Sequence, residues 1–139
     1  IADAVNLGKP TLYHYFRSKS EILFAMHKEL VSELLEAHNA RAKQTSRPDD
    51  LLEGLCLDTI TFITEHPGYV RAFFEHYHDL DEAQQIEVKE QRRNYLKMVT
   101  DIIQSGIDKK LFIKCDPRTA ALGFLGVASF ALSRVAAMT

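Results

Sequence analysis

Tryptophan is absent, cysteine occurs twice and proline four times in 139 residues. Each scarcity excludes something. Cys56 and Cys115 stand far apart with no CxxC or other ligand-like spacing, which argues against a disulfide framework or a structural zinc site and fits a reducing, cytoplasmic setting. Four prolines and six glycines leave room for long, rarely broken elements, favouring helices over many short strands. No apolar run approaches the roughly 18 residues that suggest a membrane span, and the first residues carry no signal-peptide pattern. A net charge of −2 means that the whole chain is no polycation, so any nucleic-acid contact must come from a local patch. GxSxG, HExxH, P-loop and GxGxxG runs are missing too. His76 and His78, with Asp79 and Asp81 nearby, invite a metal reading, but residues two apart on a helix point about 200° apart. No metal, cofactor or catalytic residue is therefore assigned, and the chain reads as a non-enzyme.

What is present is helical periodicity around an ordinary globular composition, 46% hydrophobic and 26% charged. The length suits one domain with a real core. Residues 1–5 read as the end of a helix, followed by a turn at Asn6–Gly8 and a brief helix over about 9–16. Ser18 and Glu21 make a capping box for a helix to about Ala42 with Ile22, Leu23, Met26, Leu30 and Leu34 on one side. Residues 45–48 form a loop. Asp49 or Asp50 then caps a helix facing Leu52, Leu55, Cys56, Thr59, Ile60 and Ile63 inward, ended by His66-Pro67-Gly68. A shorter helix carries Val70, Phe73, Phe74 and Tyr77. A long one follows from about Glu82 to Lys109, with Ile86, Tyr95, Met98, Val99, Ile102, Ile103 and Ile107 as its apolar positions. Asp116-Pro117 starts the last helix, apolar nearly all round. No strand is expected. The fold class is all-α: an N-terminal helix-turn-helix, truncated at its start, then an antiparallel helical ligand-binding and dimerisation domain, with the division placed at 1–24 and 25–139.

In residues 9–19, Leu12 and Phe16 can fix a short helix to its scaffold, while Lys9, Thr11, Tyr13, His14 and Tyr15 cover the remaining surface with donors and flat rings. That is what a major-groove reader needs. Lys19 sits at the N-terminus of the next helix, where backbone N–H groups already favour an anion, so it can hold a phosphate. On pattern alone, the same aromatic helix also reads as ordinary core.

The stretch IADAVNLGKPTLYHYFRSKSEIL strongly resembles the reading-head motif of the TetR family of transcriptional regulators, with Ile1, Ala2, Thr11, Leu12, Tyr13, Tyr15, Phe16, Ser18, Lys19 and Leu23 as matching positions. Asn6, Gly8 and Pro10 depart from it, replacing a turn glycine, an N-cap serine and a glycine. By this resemblance Lys9, Pro10 and Thr11 are expected near the groove floor, and Tyr13, His14, Tyr15 and Lys19 on the DNA backbone. Looser likenesses run through HPGYVRAFFEH, RRNYLKMVTDIIQSGIDKKLF and DPRTAALGFLG. They imply a helical sensor that encloses an apolar effector and pairs as a homodimer on a palindromic operator. The helix preceding the reading helix begins half gone at Ile1, so something upstream is expected to be missing, and a further segment is expected around or beyond the last helix.

Small residues on the last helix (Ala120, Ala121, Gly123, Gly126, Ala128, Ser129, Ala131) would let a partner helix approach; a central helix of a monomer core is the competing reading. Phe62, Phe73, Phe74, Tyr77, Tyr95, Met98, Val99, Ile102, Phe124 and Leu125 are the candidate effector-lining residues, each also readable as plain core. The lack of tryptophan and the supply of Phe, Met and Ile suggest a hydrophobic effector, an acyl-CoA or lipid-derived molecule. Arg92 and Arg93 could meet its anionic group or simply be solvated. The functional expectation is a repressor released from its operator by that effector. The rival is a small helical lipid- or acyl-binding enzyme or carrier with no DNA role.

Overall fold

The computed structural model describes residues 17–138, with side chains throughout except at 70, 73, 74, 129–133 and 135–138. Five α-helices follow one another among these residues: α1 (Lys19–Ala42), α2 (Pro48–Glu65), α3 (Pro67–His76), α4 (Glu82–Asp108) and α5 (Pro117–Met138), with a 3-10 turn at Tyr77–Asp79 between α3 and α4. No strand occurs among the described residues. The reading segment 9–16 lies outside them.

Local chemistry sets the boundaries. Ser18 is extended and its hydroxyl accepts the Glu21 amide at 3.3 Å, the N-cap contact anticipated from the sequence. The reciprocal arm of the box lands elsewhere: Glu21 Oε2 accepts from the Arg17 amide at 2.7 Å, satisfying a donor one residue further out. At α2 the expectation needs correcting. Asp49 and Asp50 do not cap it; Pro48 is the first helical residue and Arg47 the unassisted cap. Proline is at home there because its missing N–H had no helical partner anyway. The two aspartates lie in the first turn, where they favour the helix dipole. Pro67 repeats this at α3, so a single residue, His66, separates two helices. Asp81 caps α4 with a complete capping box to Gln84.

At the end of α4, Lys110 takes φ 59°, while the Leu111 amide donates to the Gly106 carbonyl at 2.8 Å and the Lys110 amide to Ile107 at 3.0 Å. This is the six-to-one and five-to-two bonding of a Schellman cap, usually built on glycine. Phe112 then folds back onto Gly106, where a Cβ would overlap its ring.

Among the described residues, three apolar clusters hold the helices together. The largest joins α2, α4 and α5 through Leu55, Val99, Ile102, Ile103 and Ala121. A second ties Leu23 of α1 to Leu80 and to Val88 of α4. The third packs Phe62 and Ile63 of α2 against Leu30 and Tyr69. Two inward assignments shift. Ile86 is 60% exposed whereas Val88 is fully buried, because Val88 falls on the same face of α4 as Val99 and Gly106 while Ile86 points to the opposite side. Cys56 and Ile60 are likewise exposed while Phe62 is buried. Both cysteines are free and exposed, and no helix among the described residues is long and apolar enough to cross a membrane.

Candidate nucleic-acid interface and sensor core

Of the seven candidate DNA contacts, Lys9, Pro10, Thr11, Tyr13, His14 and Tyr15 lie outside the described residues; Lys19 is within them. Its place follows from the Ser18 cap, which makes Lys19 the first residue of α1. The side chain turns toward the 3-10 turn after α3. Its Nζ lies 2.8 Å from Asp79 Oδ2 and 2.9 Å from His76 Nδ1, and His76 Nδ1 is 3.1 Å from the same carboxylate oxygen. An ammonium has three donors and no acceptor. Both short contacts are satisfied when Lys19 donates to Asp79 and to an unprotonated His76 Nδ1, leaving the ring proton on Nε2. The Lys19 ammonium, by hydrogen bond and charge, holds the Asp79 carboxyl below the ordinary carboxylate range. His78 turns away and stacks edge-on against Tyr77. Among the described residues no three His, Cys, Asp or Glu side chains gather as a metal site.

Among the described side chains, the candidate effector residues fall in three clusters. Tyr95, Met98, Val99, Ile102, Phe124 and Leu125 share the α2–α4–α5 cluster. Phe62 belongs to the cluster with Tyr69, and Tyr77 packs with Leu23, Leu80 and Val88 near the start of α1. The side chains of Phe73 and Phe74 lie outside the described ones. Met98 and Ile102, with Pro48 and Leu51, also line an open groove of about 440 Å³ between α2 and α4. Arg92 and Arg93 are exposed, Arg92 lying over the Tyr77 ring at 5.1 Å from its centroid, a cation–π placement.

A polar cluster missed by sequence reasoning lies beside the apolar core. Arg41 of α1 makes a forked pair with Asp58 of α2 at 2.6 and 2.8 Å, and Gly54 gives it room, since any Cβ there would overlap the guanidinium. His38, one turn before Arg41, is buried, and burial with the Arg41 charge pushes its pKa down. Burial and the Asp58 charge push the Tyr95 hydroxyl up to about 12, so it is a neutral hydroxyl in the core. Nothing in the local sequence marks this pairing, because Arg41 and Asp58 are brought together only by the packing of α1 on α2. The one available hint was an arginine and a histidine three apart, which share one side of α1.

Family comparison decides what this arrangement belongs to. Residues 45–132 match the domain described as tetracyclin repressor-like, C-terminal, and residues 1–26 match the bacterial regulatory proteins of the tetR family. The chain belongs to the TetR family. Among curated TetR-family proteins it is 24% identical over 119 residues to the HTH-type transcriptional repressor KstR2 of Mycobacterium tuberculosis, an alignment covering 81% of this chain and 56% of that protein. The chain thus spans little more than half the length of that relative. Among solved structures, the TetR-family regulator PfmR of Thermus thermophilus superposes with a TM-score of 0.80 at 20% identity, over 95% of this chain and 72% of that one. AibR in complex with isovaleryl coenzyme A and operator DNA gives 0.75 at 19%, over 95% and 72%. These likenesses establish the TetR fold for this chain, and TetR-family chains are regulators that bind DNA.

Proposed function

We propose that the protein is a ligand-responsive repressor: a reader at residues 1–24, a sensor and dimerisation domain at 25–139, and release from a palindromic operator by a hydrophobic acyl-CoA or lipid-derived effector. The observation that carries this reading is continuity. The match to the family's reading head extends to residue 26, into the first turns of α1, and α1 itself contributes to the apolar clusters of the sensor. A change in sensor packing therefore reaches the reader through one rigid helix, which is how an effector shifts the population of binding-competent states. Lys9, Pro10 and Thr11 would face the bases, and Tyr13, His14, Tyr15 and Lys19 the phosphates. Support for the effector class comes from the apolar α2–α4–α5 cluster with its neutral Tyr95 hydroxyl, and from AibR, whose complex contains isovaleryl coenzyme A.

For the homodimer, α5 leaves Leu122 and Val127 51% and 72% exposed, and a Cβ on Gly123 or Gly126 would meet nothing within 4 Å. An apolar strip with open glycines suits a close helix–helix approach across a two-fold axis. The DNA reading is tested by Tyr15→Ala and Lys19→Ala, measured on duplexes selected from a random pool by the unaltered protein. A loss of about tenfold or more in affinity is expected for Tyr15→Ala, and a smaller loss for Lys19→Ala. Unchanged affinity for both, together with acyl-CoA binding, would instead favour a carrier with no DNA role.

A further inference from the structure

The residue assigned to a phosphate is already occupied. Lys19 Nζ is engaged by a carboxylate and an imidazole, both supplied by the sensor half of the chain: His76 ends α3 and Asp79 ends the 3-10 turn that follows. An ammonium in contact with a carboxylate presents nearly zero net charge. Phosphate affinity arises from uncompensated positive charge that displaces counterions, so a lysine paired in this way contributes little of it.

From this we infer that Asp79, with His76 beside it, masks Lys19 from DNA, competing with a backbone phosphate for the same ammonium. The inference rests on the reading of Lys19 as a phosphate contact. Three features of the site fit a mask better than a static brace. All three groups stay partly exposed, with side-chain exposures of 42% for Lys19, 43% for Asp79 and 33% for His76, so a phosphate can reach the ammonium without unfolding anything. An ion pair this exposed contributes little to stability, so exchanging Asp79 for a phosphate costs the fold little. Lastly, the masking groups follow directly on α3, which packs on both α1 and α5. The position of Asp79 is therefore tied to the sensor helices, while Lys19 is fixed to the start of α1. A rearrangement that draws the turn away from α1 releases the lysine, and one that presses it closer withholds it.

The test is a four-way comparison of the unaltered protein, Asp79→Asn, Lys19→Ala and the double variant. Each is titrated onto a fluorescein-labelled, mixed-sequence duplex of roughly 30 base pairs across a range of salt concentrations, with a melting curve for each to confirm folding. Asparagine keeps the size of Asp79 and removes its charge. Masking predicts that Asp79→Asn tightens binding about three- to tenfold at low salt and steepens the salt dependence by about one released counterion. It also predicts that this gain is lost when Lys19 is alanine. If Asp79→Asn leaves binding unchanged, weakens it, or tightens it equally with and without Lys19, the mask is overturned while the DNA reading stands. If Lys19→Ala weakens binding in neither background, Lys19 is not a phosphate contact, and the reading beneath the inference fails instead. His76→Gln serves as a second variant and is expected to give a smaller gain of the same sign.

Discussion

The two ends of α1 are built from different physics. Near its start, a lysine, a histidine and an aspartate meet in partial contact with solvent, next to a cluster with three buried apolar residues among the described ones. Toward its far end α1 contributes the forked Arg41–Asp58 pair, beside the broader apolar packing of Leu55, Val99, Ile102, Ile103 and Ala121. Exposed charge pairs contribute little to stability and exchange partners readily; buried apolar area contributes about 25 cal/mol per Å² and does not exchange. The reader end is therefore suited to being rearranged, and the distal end to holding its shape.

That contrast can be attacked first where the stability is concentrated. Leu55→Ala, at a fully buried position of the distal core, should cost about 2–5 kcal/mol through lost burial and a residual cavity. Urea unfolding measures it, and a loss below about 1 kcal/mol would mean that the core is looser than described. A second, comparable effect depends on pH. His27 is buried where α1 meets α4, and burial, with the Arg92 charge, lowers its pKa from 6.5 to about 4. Because the folded state resists a proton that the unfolded chain accepts, stability falls as pH drops from about 6.5 toward 4 and is untouched by this group above that window. The full loss is on the order of 3 kcal/mol. His27→Gln should flatten that limb of a stability–pH curve, and an equally steep limb in the variant would assign the acid sensitivity elsewhere.

The smallest effect lies in the turn after α4. Lys110 holds φ 59° in a cap that suits glycine. Lys110→Gly should raise stability by about 0.5–1 kcal/mol, since the left-handed conformation costs a residue with a Cβ more than it costs glycine. A lower melting temperature would show instead that the lysine side chain contributes more than its backbone strain removes.

The same division explains what could be read from the sequence. Helix starts marked by local chemistry, Ser18 with Glu21 and Asp116 with Pro117, were legible because a cap is decided by a few adjacent residues. The start of α2 was misjudged because Arg47-Pro48-Asp49-Asp50 holds two competing start signals, and proline at the first helical position prevailed. On α4 Ile86 was counted with the apolar positions, yet Val88 is the buried one; Val88 continues the stripe of Tyr95, Val99 and Ile102, and Ile86 lies on the opposite face. The Lys19–His76–Asp79 and Arg41–Asp58 contacts join residues 57 and 17 positions apart, and no local rule links such pairs. The family resemblance, in contrast, was carried by one dense motif in residues 1–23, and the domain matches at 1–26 and 45–132 agree with it.

The most direct test of a ligand-responsive regulator is to retain the protein on duplexes selected from a random pool and then titrate isovaleryl-CoA and a long-chain acyl-CoA, following fluorescence anisotropy. The account predicts a retained duplex that at least one acyl-CoA releases, at concentrations where coenzyme A alone does not. An acyl-CoA that binds the protein while no duplex is ever retained would contradict it.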